Sequence, residues 1–270
     1  MYKQDRHNIK EEKLDLELSN KQVLVTGGSK GIGLASAIAL AKEGAHIHLV
    51  SGNAQTLAKA ADELKTQTGT TAQTTALDLS LQENREQLAP VLKNTDILVN
   101  NAGAIPGGGF KEVDFARWSK AWDLKVHGYI ELTRLALDFM MARKSGVIIN
   151  VIGAAGSNPR YEYLAGSTGN AALIAFTKAV GGYSSTAGVR VLGLNPGPTK
   201  TDRLLTLYKS RAQAKFNDPE RWQELLEHLP FGRPAEAEEI ADIIAFLASA
   251  RASYLTGLVI EADGGAGFLK

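Results

Sequence analysis

The residues with the plainest chemistry come early in the chain, in the run Thr26-Gly27-Gly28-Ser29-Lys30-Gly31-Ile32-Gly33. Glycines at this density let the backbone turn sharply and approach an anion closely. The run opens into Leu34 to Glu43, where apolar residues recur at helical spacing. A helix beginning there offers unpaired N–H groups and the positive end of its dipole, which together hold phosphate. Upstream, Gln22 to Thr26 is a short apolar run of strand length. A glycine turn between strand and helix can cradle the pyrophosphate of a dinucleotide, or serve as a plain connection between the two.

The rest of the chain supplies elements to carry that turn. Apolar runs at His46 to Val50, Ile97 to Asn100, Val147 to Ile152, Val189 to Leu194 and Leu258 to Glu261, with a shorter one at Thr74 to Leu77, predict further strands. Helical spacing fills the intervals at Ala54 to Thr66, Trp118 to Met141, Gly169 to Tyr183 and Ala237 to Ala248. This alternation predicts an α/β fold, a Rossmann-type doubly wound parallel sheet in a single domain over residues 20–270. Residues 1–19 carry charges throughout and are expected as a polar N-terminal arm. Residues 200–233, with Leu204, Leu205, Leu207, Phe216, Trp222, Leu225 and Leu226, predict two short amphipathic helices. Such an insertion after a late strand is either a substrate lid or a surface hairpin.

Composition narrows the function classes. A chain of 270 residues with net charge +1 has no basic field to hold nucleic acid. With no cysteine and five scattered histidines, neither a disulfide framework nor a metal site is expected. The first twenty residues fit neither a secretory signal nor a membrane span, so a cytoplasmic protein with no membrane contact is expected.

Further motifs fall after the later strands: Asn100-Asn101-Ala102-Gly103, Asn195-Pro196-Gly197-Pro198-Thr199-Lys200-Thr201 and Asp263-Gly264-Gly265. With the glycine run, they make Asn20 to Gly265 resemble the short-chain dehydrogenase/reductase family. The resemblance implies that Gly27, Ser29, Lys30, Gly31, Ile32 and Gly33 surround the pyrophosphate and ribose, with Asp78 and Leu79 at the adenine. It places Asn101, Ala102 and Gly103 on the adenosine side, and Pro196, Gly197, Thr199 and Thr201 toward the nicotinamide. Asp78 also reads as a loop residue capping a helix. At the end of the second strand, Ser51-Gly52-Asn53 has no carboxylate to bind a ribose 2′-hydroxyl. With Ser51 and Asn53 there and Lys30 in the loop, NADP(H) is expected in preference to NAD(H), which is still admitted. Gly52 weakens that preference, because phosphate-preferring relatives often carry arginine there.

The family's four catalytic positions, aligned by their flanks, hold other residues. Gly153 stands for the serine, Gly166 for the tyrosine, Asn170 for the lysine and Lys125 for the asparagine. Lysine and asparagine therefore look exchanged, and Lys125 either restores the positive charge or reaches to solvent. Tyr163 lies three residues before Gly166, at helical spacing, and its phenol either takes the vacated space as proton donor or simply packs. Tyr161 is a weaker candidate for the same role.

The expected function is hydride transfer between a dinucleotide and a small carbonyl, alcohol, quinone or diketone. The alternative is a non-catalytic dinucleotide-binding sensor or scaffold. By the resemblance, the helices over Trp118 to Met141 and Gly169 to Tyr183 would pair across a dimer axis. The small face Gly169, Ala171, Ala172 and Ala175 suits that packing, so a homodimer or homotetramer is expected.

Overall fold

The computed structural model describes residues 14–268. In chain order the elements are β1 (Gln22–Thr26), α1 (Gly31–Lys42), β2 (His46–Ser51), α2 (Ala54–Thr68), β3 (Gln73–Ala76), α3 (Gln82–Glu86), α4 (Ala89–Leu92), β4 (Ile97–Asn100), α5 (Phe115–Trp122), α6 (Gly128–Ala142), β5 (Gly146–Val151), α7 (Leu164–Ser184), β6 (Val189–Pro196), α8 (Asp202–Phe216), α9 (Ala237–Ala248) and β7 (Val259–Ala262). All strand pairings are parallel, in the order β3-β2-β1-β4-β5-β6-β7.

The inner strands are apolar along their length because both faces are covered. On one face α1, α2 and α9 bury Leu34, Ile38, Leu57, Leu64, Ile240 and Ile244 against Val25, Val99 and Leu192. On the other, α4 and α6 bury Leu92, Leu132, Ala136 and Met140 against Leu24, Leu98 and Ile148. The strand order reverses between β1 and β4, and ligands bind such sheets at the carboxyl ends of the strands beside that reversal.

Several expected boundaries move. The helix expected from Gly169 begins at Leu164. Gly169 is tolerated there because it packs closely: a Cβ on it would lie 2.9 Å from Val126 Cγ2. Gly169 is therefore buried within the chain, while Ala171, Ala172 and Ala175 remain exposed on α7. The helix expected over Trp118 to Met141 is broken by a π-helical turn, Asp123–His127, between α5 and α6. In the segment 200–233 only α8 is α-helical, and it is followed by 3₁₀ turns at Pro219–Leu225 and Pro230–Gly232. The second α-helix expected there is interrupted by the left-handed Asn217 and by proline at the start of each turn.

Residues 1–13 of the expected arm lie outside the described residues. Within 14–19, Leu18 is 1% exposed in the main core, and just after it the Asn20 backbone N–H donates to Gly44 O at 2.8 Å. Among the described residues no helix is long and apolar enough to cross a membrane.

Candidate active site

The carboxyl ends of β1, β4, β5 and β6 meet at two adjoining cavities of about 890 and 340 Å³. Thr26 ties the first two ends together, its Oγ1 accepting from the backbone N–H of Asn101 and Ala102 at 3.0 and 3.2 Å. The Asn101 side chain donates to Thr26 O and Gly27 O, both at 3.2 Å, and so fixes the glycine turn. Farther along the sheet, Asn100 Nδ2 donates to Asn150 Oδ1 and Asn150 Nδ2 to Thr177 Oγ1, each at 2.9 Å.

The larger cavity is walled by Gly27, Ser29, Lys30, Gly31, Ile32, Ser51, Asp78, Leu79, Asn101, Ala102, Gly103 and Thr201. Gly31 has φ +56°, and a Cβ there would lie 3.1 Å from Thr201 Cγ2, so the first turn of α1 and the loop after β6 close on each other. No side chain caps the start of α1, which leaves its first N–H groups for a ligand. Ser29 and Ser51 share a hydrogen bond of 3.1 Å. Gly33 and Asn53 do not line the cavity: Gly33 packs under Gly27 O, and Asn53 caps α2 by accepting from Thr56 N–H at 2.9 Å. Asp78 caps its own turn, and hydrogen bonds from the Ser80 backbone and hydroxyl hold its carboxyl below the usual range. Lys30 pairs with Asp202 at 3.4 Å, both largely exposed.

The smaller cavity brings together Lys125, Gly153, Tyr163, Asn170, Pro196, Gly197, Thr199 and Thr201. Lys125 comes from the π turn, is 9% exposed, and donates from Nζ to Ile152 O at 2.5 Å. Burial, reinforced by the Arg203 charge, pulls its ammonium from 10.5 down to about 7. Beneath it Tyr129 donates to Val151 O at 2.9 Å, and burial pushes that phenol upward, so it stays protonated. Gly153 has φ +126°, a conformation L side chains rarely adopt. Asn170 Nδ2 donates to Gly153 O at 3.2 Å, while its buried Oδ1 lacks a partner among the described residues.

Tyr163 precedes the first residue of α7, and its ring occupies the space above Gly166, where a Cβ would lie 1.9 Å from Cε1. Its hydroxyl accepts from Arg203 Nη2 at 2.9 Å, and the same nitrogen donates to Ile105 O at 2.8 Å. Tyr161 is not brought to the cavity; it is exposed, lies over Gly109 and meets the Phe110 ring edge-on. The Gly166→Ala variant is expected to lose about 1–3 kcal/mol of stability, because the methyl must displace the Tyr163 ring. Thermal denaturation checks this, and an unchanged melting temperature would mean that the ring does not rest there.

A family model described as short chain dehydrogenase matches residues 21–212. The chain belongs to that family. One relative, dehydrogenase/reductase SDR family member 6 of Aquarana catesbeiana, is 32% identical over 252 residues, spanning 92% of this chain and 98% of its own. The structure of L-sorbose reductase from Gluconobacter frateurii, complexed with NADPH and L-sorbose, superposes with a TM-score of 0.86 at 32% identity, covering 95% of this chain and all of that one. An NAD⁺-bound xylitol dehydrogenase superposes equally well, at 25% identity over 92% of this chain and all of its own. The chain is thus an NAD(P)-dependent oxidoreductase by family.

Sequence reasoning missed Arg160, Arg203, Tyr208 and Arg211, all in the wall of the smaller cavity. Arg203, Leu207 and Arg211 recur at intervals of four on α8, a signal that one helical face carries two cations.

Proposed function

We propose that this protein transfers hydride between a dinucleotide in the larger cavity and a small carbonyl or alcohol in the smaller one, with Lys125 as its acid–base group. The observation that supports this reading is a buried amine in the wall of the smaller cavity, held on Ile152 O, whose burial lowers its pKa to about 7. The uncapped start of α1 and the orphaned Asn170 Oδ1 fit a ligand rich in phosphate and hydroxyl groups. Gly31, Ile32 and Ser29 would hold the pyrophosphate end, and Thr199 and Thr201 the nicotinamide end. The nicotinamide, when bound, supplies hydride to a carbonyl carbon or takes it from an alcohol carbon.

In this reading the family's serine, tyrosine, lysine and asparagine are replaced by Gly153, Gly166, Asn170 and Lys125. Lys125 gives its proton to the carbonyl oxygen in reduction and takes one from the alcohol in oxidation. Proton donation near the working pH is where general acid catalysis is most effective. The Tyr163 phenol donates a hydrogen bond to the same oxygen, because its own oxygen already accepts from Arg203. Quinones and diketones, which need little acid assistance, belong in the substrate panel. Turnover of part of such a panel, lost in Lys125→Met, is the expected result. Tight dinucleotide binding with no turnover would instead make the protein a sensor or scaffold.

NADP(H) is the preferred cofactor in this reading, because Ser29, Lys30 and Ser51 face the ribose end without a carboxylate from β2. Asp202 draws on the Lys30 charge and moderates the preference. Lys30→Ala should weaken NADPH binding by about threefold to tenfold and leave NADH binding unchanged, measured by calorimetry. An unaltered ratio would refute the assignment. The exposed alanines of α7 fit assembly as a homodimer or homotetramer.

A further inference from the structure

The smaller cavity holds more positive charge than hydride transfer requires. Besides Lys125, its wall includes Arg160, Arg203 and Arg211 against a single carboxylate, Asp263. That carboxylate is engaged by its own turn, Oδ1 accepting from Gly265 N–H at 2.8 Å and Oδ2 from Gly267 N–H at 2.9 Å. None of the three arginines forms an ion pair among the described residues. Arg203 is committed to Ile105 O and Tyr163, and Arg211 lies over the Tyr208 ring at 5.0 Å.

Two nearby cations outside the cavity wall are paired. Lys209 on the same helix meets Glu220 at 2.7 Å, and Arg221 meets Glu224 at 2.6 Å. Arg203 and Arg211 on α8, and Arg160 on the loop before α7, thus line the cavity without an ion pair among the described residues. There they share the cavity wall with Val151, Ile152, Leu204 and Leu207, Arg211 half-buried and Arg160 and Arg203 exposed at the mouth. A guanidinium offers two parallel donors matched to a carboxylate.

We propose that the substrate of this site carries a carboxylate, held by Arg160 and Arg211, and is a short keto acid or its hydroxy acid. The inference rests on the hydride-transfer reading above and adds its substrate class. Arg203 lines both cavities and serves Tyr163, so Arg160 and Arg211, which line only the smaller one, carry the test. One carboxylate against these cations also explains why the site needs no acidic partner of its own.

Two measurements on the NADPH-loaded protein decide it. In calorimetry, butanoate should bind about 10- to 100-fold more tightly than butanamide, the advantage of a charge-assisted hydrogen bond over a neutral one. In steady-state assays, short keto acids should exceed their methyl esters in kcat/KM by a similar factor. The Arg160→Gln/Arg211→Gln double variant should abolish both preferences, chiefly through KM, while its NADPH affinity and circular dichroism stay unchanged. Esters reduced as well as acids, or a double variant that keeps the preference, would overturn the carboxylate inference and leave hydride transfer standing. Preferential butanoate binding without turnover of any acid or ester would keep the anion site and overturn the hydride-transfer reading.

Discussion

Lys125→Met is expected to fold, to bind dinucleotide, and to reduce carbonyl substrates about 10²- to 10⁴-fold more slowly, the usual worth of a positioned general acid. Methionine keeps most of the apolar stem of the lysine, so it can lie against Gly103 as the stem does now. What it removes is the ammonium, and with it the proton. The pH dependence distinguishes this from a loss of packing. Because Lys125 titrates at about 7, reduction by the native enzyme should decline above that pH, and oxidation, which needs the neutral amine, should rise. Residual activity of the variant should lack both limbs.

Stability gives an independent check with a definite sign. The folded lysine titrates at about 7 and the unfolded one at 10.5, so between those values the unfolded chain binds more protons. Stability attributable to this group is therefore complete above 10.5 and is lost as pH falls toward 7. Denaturation curves across that range should show the slope in the native chain and lose it in Lys125→Met. Full activity in Lys125→Met, or a bound-state structure with the amine turned to solvent, would end the assignment.

Gly31→Val should abolish dinucleotide binding, measured by calorimetry on folded protein. At φ +56° a β-branched residue is strained by roughly 1–2 kcal/mol, and its side chain would meet Thr201, which caps α8 by accepting from Leu204 N–H. The branch would also stand before the uncapped N–H groups of α1. Unchanged affinity in a folded variant would remove the glycine turn from the binding site.

The parts legible in the sequence were those whose chemistry is local. Leu24, Leu98 and Ile148 announce inner strands because a parallel sheet covered on both faces leaves no polar side. β3, reading Gln-Thr-Thr-Ala at the sheet edge, gives a weaker signal because its burial is slight. The glycine turn was legible from its place between strand and helix. The three-residue interval between Tyr163 and Gly166 also pointed to the packing seen, although Tyr163 lies just outside α7. Tyr161 shared the local signal and lies elsewhere, because the chain before α7 sets its side chain over Gly109. Arg160 and Arg211 were illegible for a different reason. They line one cavity only because α8 and the loop that follows β5, far apart in sequence, reach the same opening.

The π turn that carries Lys125 has a mechanical consequence. Each residue of an α-helix advances the side chains by about 100°, so one additional residue rotates everything before it relative to everything after it. The turn therefore acts as a phase shifter in an otherwise continuous rod. On one side, α5 aims Trp122 at Ala165 O, 2.9 Å away; on the other, α6 aims Leu132, Ala136 and Met140 at the sheet. The change of phase between these two orientations falls where the ammonium enters the cavity wall. The buried charge is thus set by helix length as much as by residue identity. Loss of one residue between Asp123 and His127 would rotate Lys125 out of the wall without changing any side chain the chemistry uses.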